Sequence, residues 1–551
     1  MRPSVPTSST ETSLRKIPLT ALLVILLGFV IRVYAFARIP LINPDGILYI
    51  QQARALHYGL WDSLTSCFHY LSNYPILIAG SYQIFGDWVL SGRSVSLFFG
   101  TLALVPLYGL LRCFFDETVS ALTLLSFALL PTLIYISQDV MRGPVYWFFS
   151  LLGLYLFILQ TEQTEKKTHL LTLFSSISFI MAAWARIEAV LFILISAAWL
   201  IFTRQEGKWR HLLFFMGPVA LLCLGLILCM LISGQDALML FETRILTMPS
   251  DVMVNYEALL ENLASLVEHP PEGFSPYFFP KVRKLLWLIA LGTVVVQIVE
   301  TLFYLFFLIL AWGAMGAFSR IKTDPRMIYL SVLSGMALLL LYCQTLYNWA
   351  MVNRFVAIFL FPAFVFMGLG IEKIIAFFSK KFKIQYAVSC TLVCLMMLGF
   401  ALPKALRTNY VRDKLVFKEI GAFISAETGN RRAVSIGGNF KNIRFVHFYA
   451  NLNYPGAPCF DTDAVLPLAH PDPLCFVREK GTEYFIWKEQ KGEQGEQREM
   501  LASEAFVRKA SEAFVRKASE AFVRKASEAF VRKKEWNTSK LGKLILYKVM
   551  P

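Results

Sequence analysis

Apolar runs of roughly 18 residues or more recur from Leu19 to Leu402, and nothing else in the chain restricts its fold so tightly. Each is long enough to cross about 30 Å of hydrocarbon as a helix. The composition agrees: of 551 residues 56% are hydrophobic and 17% charged, with mean hydropathy +0.55, where a soluble domain carries about 25% charged residues. The first run, Ile17 to Phe36, holds Arg32 and lacks a small-residue cleavage site. It therefore reads as a retained anchor and not a signal peptide.

The polar breaks divide residues 1–402 into about eleven predicted transmembrane helices. They lie near Ile17–Ala37, Arg93–Phe114, Thr118–Ser137, Gly143–Leu159, His169–Ala185 and Ala189–Thr203. The rest lie near His211–Ile232, Lys284–Leu308, Met327–Leu346, Phe355–Phe378 and Ile384–Leu402. Tyr74–Phe85 is apolar but too short to span, and reads as interfacial or re-entrant. With that segment not crossing, the basic patches fall on one side of the membrane: Arg2/Arg15/Lys16, Lys166/Lys167, Arg204/Lys208/Arg210, Arg320/Lys322/Arg326 and Lys380/Lys381/Lys383. The positive-inside rule makes that side cytoplasmic, with the N-terminus. An odd number of spans leaves the C-terminal region external, together with large loops at 38–92 and 233–283. The latter is acidic, carrying Asp236, Glu242, Asp251, Glu257, Glu261, Glu268 and Glu272.

Residues 403–551 have the composition of a small soluble α/β domain. Arg412–Ala426 and Asn442–Ala450 show helical spacing, while Ala433–Ile436, Tyr484–Trp487 and Leu544–Val549 read as strands. Cys459 and Cys475 lie here, where a disulfide is open to them. Most of the other cysteines sit in or beside apolar runs and behave as small hydrophobes. An octapeptide, SEAFVRKA, begins at Ser503, Ser511, Ser519 and Ser527, the last copy ending in Lys, so the array covers 503–533 and just beyond. Its residues favour helix. Eight residues overshoot two helical turns by roughly 80°, so Phe506, Phe514, Phe522 and Phe530 spiral and form no apolar stripe. The array reads as a solvated helix or a basic arm. The net charge of +15 comes from this array and the short basic loops, a distribution that sets orientation and does not call for a nucleic-acid partner.

Charged residues at a membrane surface are costly and often functional. The first external loop opens Asn43-Pro44-Asp45. Asn43 suits a helix N-cap and Pro44 the first helical position, which puts Asp45 in the first turn of a helix reaching His57. Tyr49 follows one turn later on the same face. From the residues alone Asp45 is either a helix-start carboxylate or a general base toward a hydroxyl or amine.

Asp45 and Tyr49 form a D-x-x-x-Y pattern, followed by Ala53-Arg54-Ala55-Leu56, Tyr74-Pro75-Ile76-Leu77, Phe85-Gly86-Asp87 and Gly92-Arg93-Ser94-Val95-Ser96. Ser137-Gln138-Asp139-Val140-Met141-Arg142 then occupies a second external loop, and Ala185-Arg186-Ile187-Glu188 opens a later span. In order and spacing, residues 38 to about 200 resemble the GT-C superfamily, specifically the family 39 and lipid A aminoarabinose transferase group. Two departures stand out: Gly46 follows Asp45 where many relatives have a second acid, and Asn73-Tyr74-Pro75 stands where many have His-Pro-Pro.

The resemblance implies a membrane glycosyltransferase, in a bacterial plasma (inner) membrane, that moves a sugar from a polyprenyl-phosphate carrier to a lipid, glycan or protein acceptor at the external face. It implies Asp45 and Asp139 as catalytic carboxylates. Tyr49, Arg54, Arg93, Arg142, Arg186, Glu188, Arg244 and Arg354 are the expected substrate-binding residues, since arginine forks match phosphate oxygens. No cofactor is expected; Asp45 has no adjacent acid to share a divalent metal, although one is not excluded. A transporter or flippase would want inverted repeats and broken mid-membrane helices, and no matching halves are evident. A ligase moving a whole lipid-linked glycan would share the external chemistry.

Overall fold

The computed structural model describes residues 18–39, 41–64, 68, 70–162, 168–203, 207–233, 244–407, 414–460, 464–466, 473–489, 530–538 and 541–549. Helices α1 (Leu19–Arg38), α2 (Pro44–His57) and α3 (Asn73–Phe85) come first. Next, α4 (Trp88–Leu102) and α5 (Leu104–Arg112) run on as one rod of 25 residues. Then follow α6 (Glu117–Leu129), α7 (Pro131–Ser137), α8 (Gly143–Glu162), α9 (Thr168–Ala185), α10 (Val190–Phe202) and α11 (Lys208–Ser233). The helical part closes with α12 (Arg244–Glu268), α13 (Phe278–Ile321), α14 (Pro325–Asn348), α15 (Ala357–Lys381) and α16 (Tyr386–Leu406).

Among the described residues nine helices are long and apolar enough to span, counting α4–α5 once, and the pair α6–α7 brings the total to ten. The eleventh expected span, α10 with the turn before it, is the shorter apolar helix Ile187–Phe202. The protein is thus a multi-pass membrane protein. The segment expected to stop short of crossing is α3, of 13 residues.

Two features of the bundle bear on the site. The α6–α7 span bends by 62° at its break, because Pro131 has no N–H to give and holds Leu130 in extended backbone (φ −63°, ψ 113°). Beside the last turn of α6, buried Arg32 donates to the Gly28 carbonyl at 2.9 Å and the Ala128 carbonyl at 3.5 Å. The bend aims residues 138–142 toward α2. Helix α15 is the hub: 83% of its apolar stretch is buried, against 6% for α11 at the periphery of the bundle. Glycines let α13 and α15 approach closely, since a Cβ on Gly313 would overlap the Phe366 carbonyl oxygen and one on Gly370 that of Ile309. Helix α13 is 44 residues long and runs past the expected end at Leu308, with a kink at Phe303 (φ 57°).

Beyond the bundle lie α17 (Leu415–Thr428), β1 (Ile436–Gly438), α18 (Ile443–Ala450), α19 (Pro473–Glu479), β2 (Tyr484–Glu489), β3 (Phe530–Thr538) and β4 (Gly542–Val549). The sheet order is β1-β2-β4-β3, parallel between β1 and β2 and antiparallel elsewhere. Helices α17 and α18 and strands β2 and β4 overlap the segments the sequence predicts, whereas β1 shares only Ile436 with the strand expected at Ala433–Ile436, and α19 and β3 were not expected. The octapeptide up to Ala529 lies outside the described residues, but Phe530–Lys534 of its last copy form the start of edge strand β3 and not a helix. Pairing of Phe530 and Val531 with Val549 and Lys548 outweighs a helix propensity worth a few tenths of a kcal/mol per residue.

Candidate active site

The site grows from the start of α2. Asn43 caps the helix, its Oδ1 accepting from the Gly46 N–H at 2.9 Å, with Pro44 at the first helical position and Asp45 in the first turn. The same asparagine ties α2 to the loop between α7 and α8: its Nδ2 donates to the Val140 carbonyl at 2.8 Å. The Asp139 carboxylate completes the tie, its Oδ1 accepting from the Asn43 N–H at 3.1 Å and the Val140 N–H at 2.7 Å. Burial pushes the Asp139 carboxyl above its ordinary range, and those two N–H groups pull it partly back. Gly46 is needed for the contact, because a Cβ there would lie 2.8 Å from the Val140 Cβ. The departure from a consecutive acid pair thus has a steric reason in this chain.

Asp45 is ion-paired through Oδ2 to Nη1 of Arg354, which sits on the short 3-10 turn Asn353–Phe355 between α14 and α15. Both partners are about a third exposed. The pair continues inward: Arg186 donates to the Arg354 carbonyl at 3.2 Å and binds Glu188 at 2.7 Å. The Arg186 guanidinium also lies 4.6 Å over Phe355 and 5.6 Å over Tyr146. Although two residues apart, Arg186 and Glu188 meet because Arg186 is extended (φ −150°, ψ 119°) before the turn Ile187–Ala189. Arg142 lies 5.1 Å over Tyr70.

Tyr49 sits among these charges. It is buried, edge-on to Tyr74 at 5.4 Å and tilted against Phe68 at 5.1 Å. Burial pushes its phenol up, and Arg142, Asp45, Arg354 and Arg186 all lie close enough to act on it. Asp45, Tyr49, Arg142, Arg186, Glu188 and Arg354 therefore lie together. Within this group three guanidinium groups, of Arg142, Arg186 and Arg354, lie around Tyr49, a set that suits an anionic ligand. A partly open carboxylate beside guanidinium groups can take a proton while they hold a phosphate.

Other expected site residues are placed elsewhere. Arg54, fully buried, donates through Nη2 to the Asn451 carbonyl at 2.8 Å and the Tyr454 carbonyl at 2.5 Å, and through Nη1 to Gln51 at 3.1 Å. Its guanidinium is spent on the C-terminal region, whose loop Gln51 also binds at the Pro458 carbonyl. Arg93 donates to the Gln138 carbonyl and side chain, each at 2.9 Å, and to the Phe36 carbonyl. It braces the α7–α8 loop from behind. Arg244 opens α12, and its side chain lies outside the described residues. Sequence reasoning missed Tyr70, Tyr146 and Phe355, because aromatic residues in or beside apolar runs carry no signal of facing a guanidinium. Among the described residues no three His, Cys, Asp or Glu side chains gather as a metal site.

No family model matches the chain, and no curated protein matches it. Solved structures do. The oligosaccharyltransferase AglB from Archaeoglobus fulgidus, in complex with an inhibitory peptide and a dolichol-phosphate, superposes with a TM-score of 0.54 at 11% identity, over 85% of this chain and 69% of that one. ArnT from Cupriavidus metallidurans, bound to undecaprenyl phosphate, gives 0.53 at 10% identity over 96% and 97%. The arabinofuranosyltransferase AftD from mycobacteria gives 0.50 at 11% identity over 98% and 42%. At such identities the likeness establishes the fold: this chain has the polytopic helical GT-C architecture with a small C-terminal α/β region.

Proposed function

We propose that this chain is a glycosyltransferase that takes its sugar from a polyprenyl-phosphate carrier and passes it to a hydroxyl or amine acceptor at the external membrane face. The observation that carries the reading is the ion pair between Asp45 and Arg354, in reach of Arg186 and Arg142 and joining three separate segments of the chain. The relatives in fold that hold dolichol-phosphate and undecaprenyl phosphate support the donor class.

In the reaction Arg354, with Arg142 and Arg186 beside it, holds the phosphate of the donor. Asp45 takes the proton of the acceptor O–H or N–H as that atom bonds to the anomeric carbon. The bond from that carbon to the phosphate oxygen breaks, and the electron pair leaves on the carrier phosphate, where the guanidinium groups stabilise it. Tyr49 lines the sugar side, and Glu188 keeps Arg186 oriented. Asp139, Arg54 and Arg93 are positioning residues in this scheme.

The division into a membrane part, 1–402, and an external part, 403–551, fits this reading. Arg54 and Gln51 bind the C-terminal loop, so both belong on one side of the membrane. Cys459 of that loop is disulfide-bonded, as suits an oxidising compartment outside the plasma membrane of a bacterium. The test is transfer of label from a radiolabelled polyprenyl-phosphate monosaccharide by purified protein; binding of the carrier with no transfer to any glycan, lipid or peptide acceptor would contradict the proposal.

A further inference from the structure

At the end of α15 remote from Arg354, about 37 Å along a 25-residue helix, a cavity of about 450 Å³ opens between α13 and α15. Trp312, Lys373, Ala376, Phe377, Lys380 and Lys381 line it. On α15 the first lysine, Phe377 and Lys380 recur at helical spacing, so one face presents ammonium groups on either side of an aromatic ring. No acid is among the lining residues. Glu372, the nearest carboxylate in sequence, is held by Arg320 at 2.8 and 2.9 Å.

The cavity is an open groove, with Trp312 of α13 facing five residues of α15. A Cβ on Gly316 would overlap the Lys373 Nζ and Cε. The glycine leaves room for the lysine stem to lie over α13, where its ammonium donates to the Trp312 carbonyl at 3.2 Å. The Lys381 ammonium lies 5.0 Å over Phe377. Trp312, Met315 and Phe377 are exposed on the same flank, which in a membrane means facing acyl chains.

We propose that this cavity binds the headgroup of an anionic phospholipid, with Lys373, Lys380 and Lys381 on its phosphate and the acyl chains against Trp312 and Phe377. A basic pocket between membrane helices suits such headgroups, and its volume is in the range of ligand sites. A zwitterionic lipid would set its own cation against three lysines.

The experiment is native mass spectrometry of the full chain from micelles holding equal amounts of phosphatidylglycerol and phosphatidylcholine. The expected result is one phosphatidylglycerol retained in preference, its binding weakened about ten-fold or more in Lys373→Ala/Lys380→Ala/Lys381→Ala. Gly316→Ala, which displaces Lys373, should weaken it without removing a charge. Should the triple variant not insert, Lys380→Gln/Lys381→Gln at the exposed positions is read in its place. Equal retention of both lipids, or an equal loss in Lys322→Ala/Lys383→Ala outside the cavity, would overturn the proposal.

Discussion

Asp139 and Asp45 are both carboxylates beside the same helix start, yet their surroundings give them opposite parts. Asp139 is 2% exposed and accepts two backbone N–H groups, whereas Asp45 is open and faces guanidinium. Asp139→Asn keeps an acceptor oxygen and is expected to retain most transfer activity. Asp139→Ala strands both N–H groups, at about 1–3 kcal/mol each, and should lower the unfolding temperature and kcat together. Transfer abolished in Asp139→Asn with unchanged thermal stability would make Asp139 a reacting group instead. The helix start itself was legible, because a cap such as Asn43-Pro44 is local chemistry. The partner of an arginine is not local: Arg54 and Arg354 look alike in sequence, and only the fold sends one to the C-terminal carbonyls and the other to Asp45.

Among the elements, α18 carries a pH response. His447 is buried, and burial, with Arg54 adding repulsion, depresses its imidazole to about 4. The unfolded chain takes up a proton near pH 6.5 that the folded chain refuses, so stability is full above 6.5 and declines as pH falls toward 4. Between pH 7 and pH 5 the loss is about 2 kcal/mol from this residue. Unfolding temperatures across that range should fall more steeply in wild type than in His447→Gln; parallel profiles would remove His447 from the account. Strand β3 escaped the sequence reading because its start is shared with a helix-favouring repeat and its partner β4 lies beyond a turn. Deleting the first two octapeptide copies, residues 503–518, should leave transfer within a few-fold, while deleting Phe530–Lys534 takes away half of an edge strand and should lower the unfolding temperature. Equal damage from both deletions would show that the upstream copies have a contact of their own.

At the level of the whole molecule, the membrane class and the order of helices could be read from hydropathy alone, since a span must be long and apolar wherever it occurs. The break in α6–α7 was hidden inside one apolar run, and Pro131 was its one local mark. That break, the Asp139 tie and the hub helix α15 together bring residues 45, 142, 186 and 354 to one end of the bundle, where the proposed reaction places the lipid-borne phosphate and the acceptor. The central claim is that Asp45 takes the acceptor proton there. The direct measurement is the rate of sugar transfer from a radiolabelled polyprenyl-phosphate donor by wild type and Asp45→Asn, with bound carrier counted in the same samples. The substitution keeps the side-chain volume and cannot accept the proton, so carrier binding should persist while transfer falls about 10²-fold or more. Transfer by Asp45→Asn at near the wild-type rate would contradict the account and leave Asp45 as a partner for Arg354 alone.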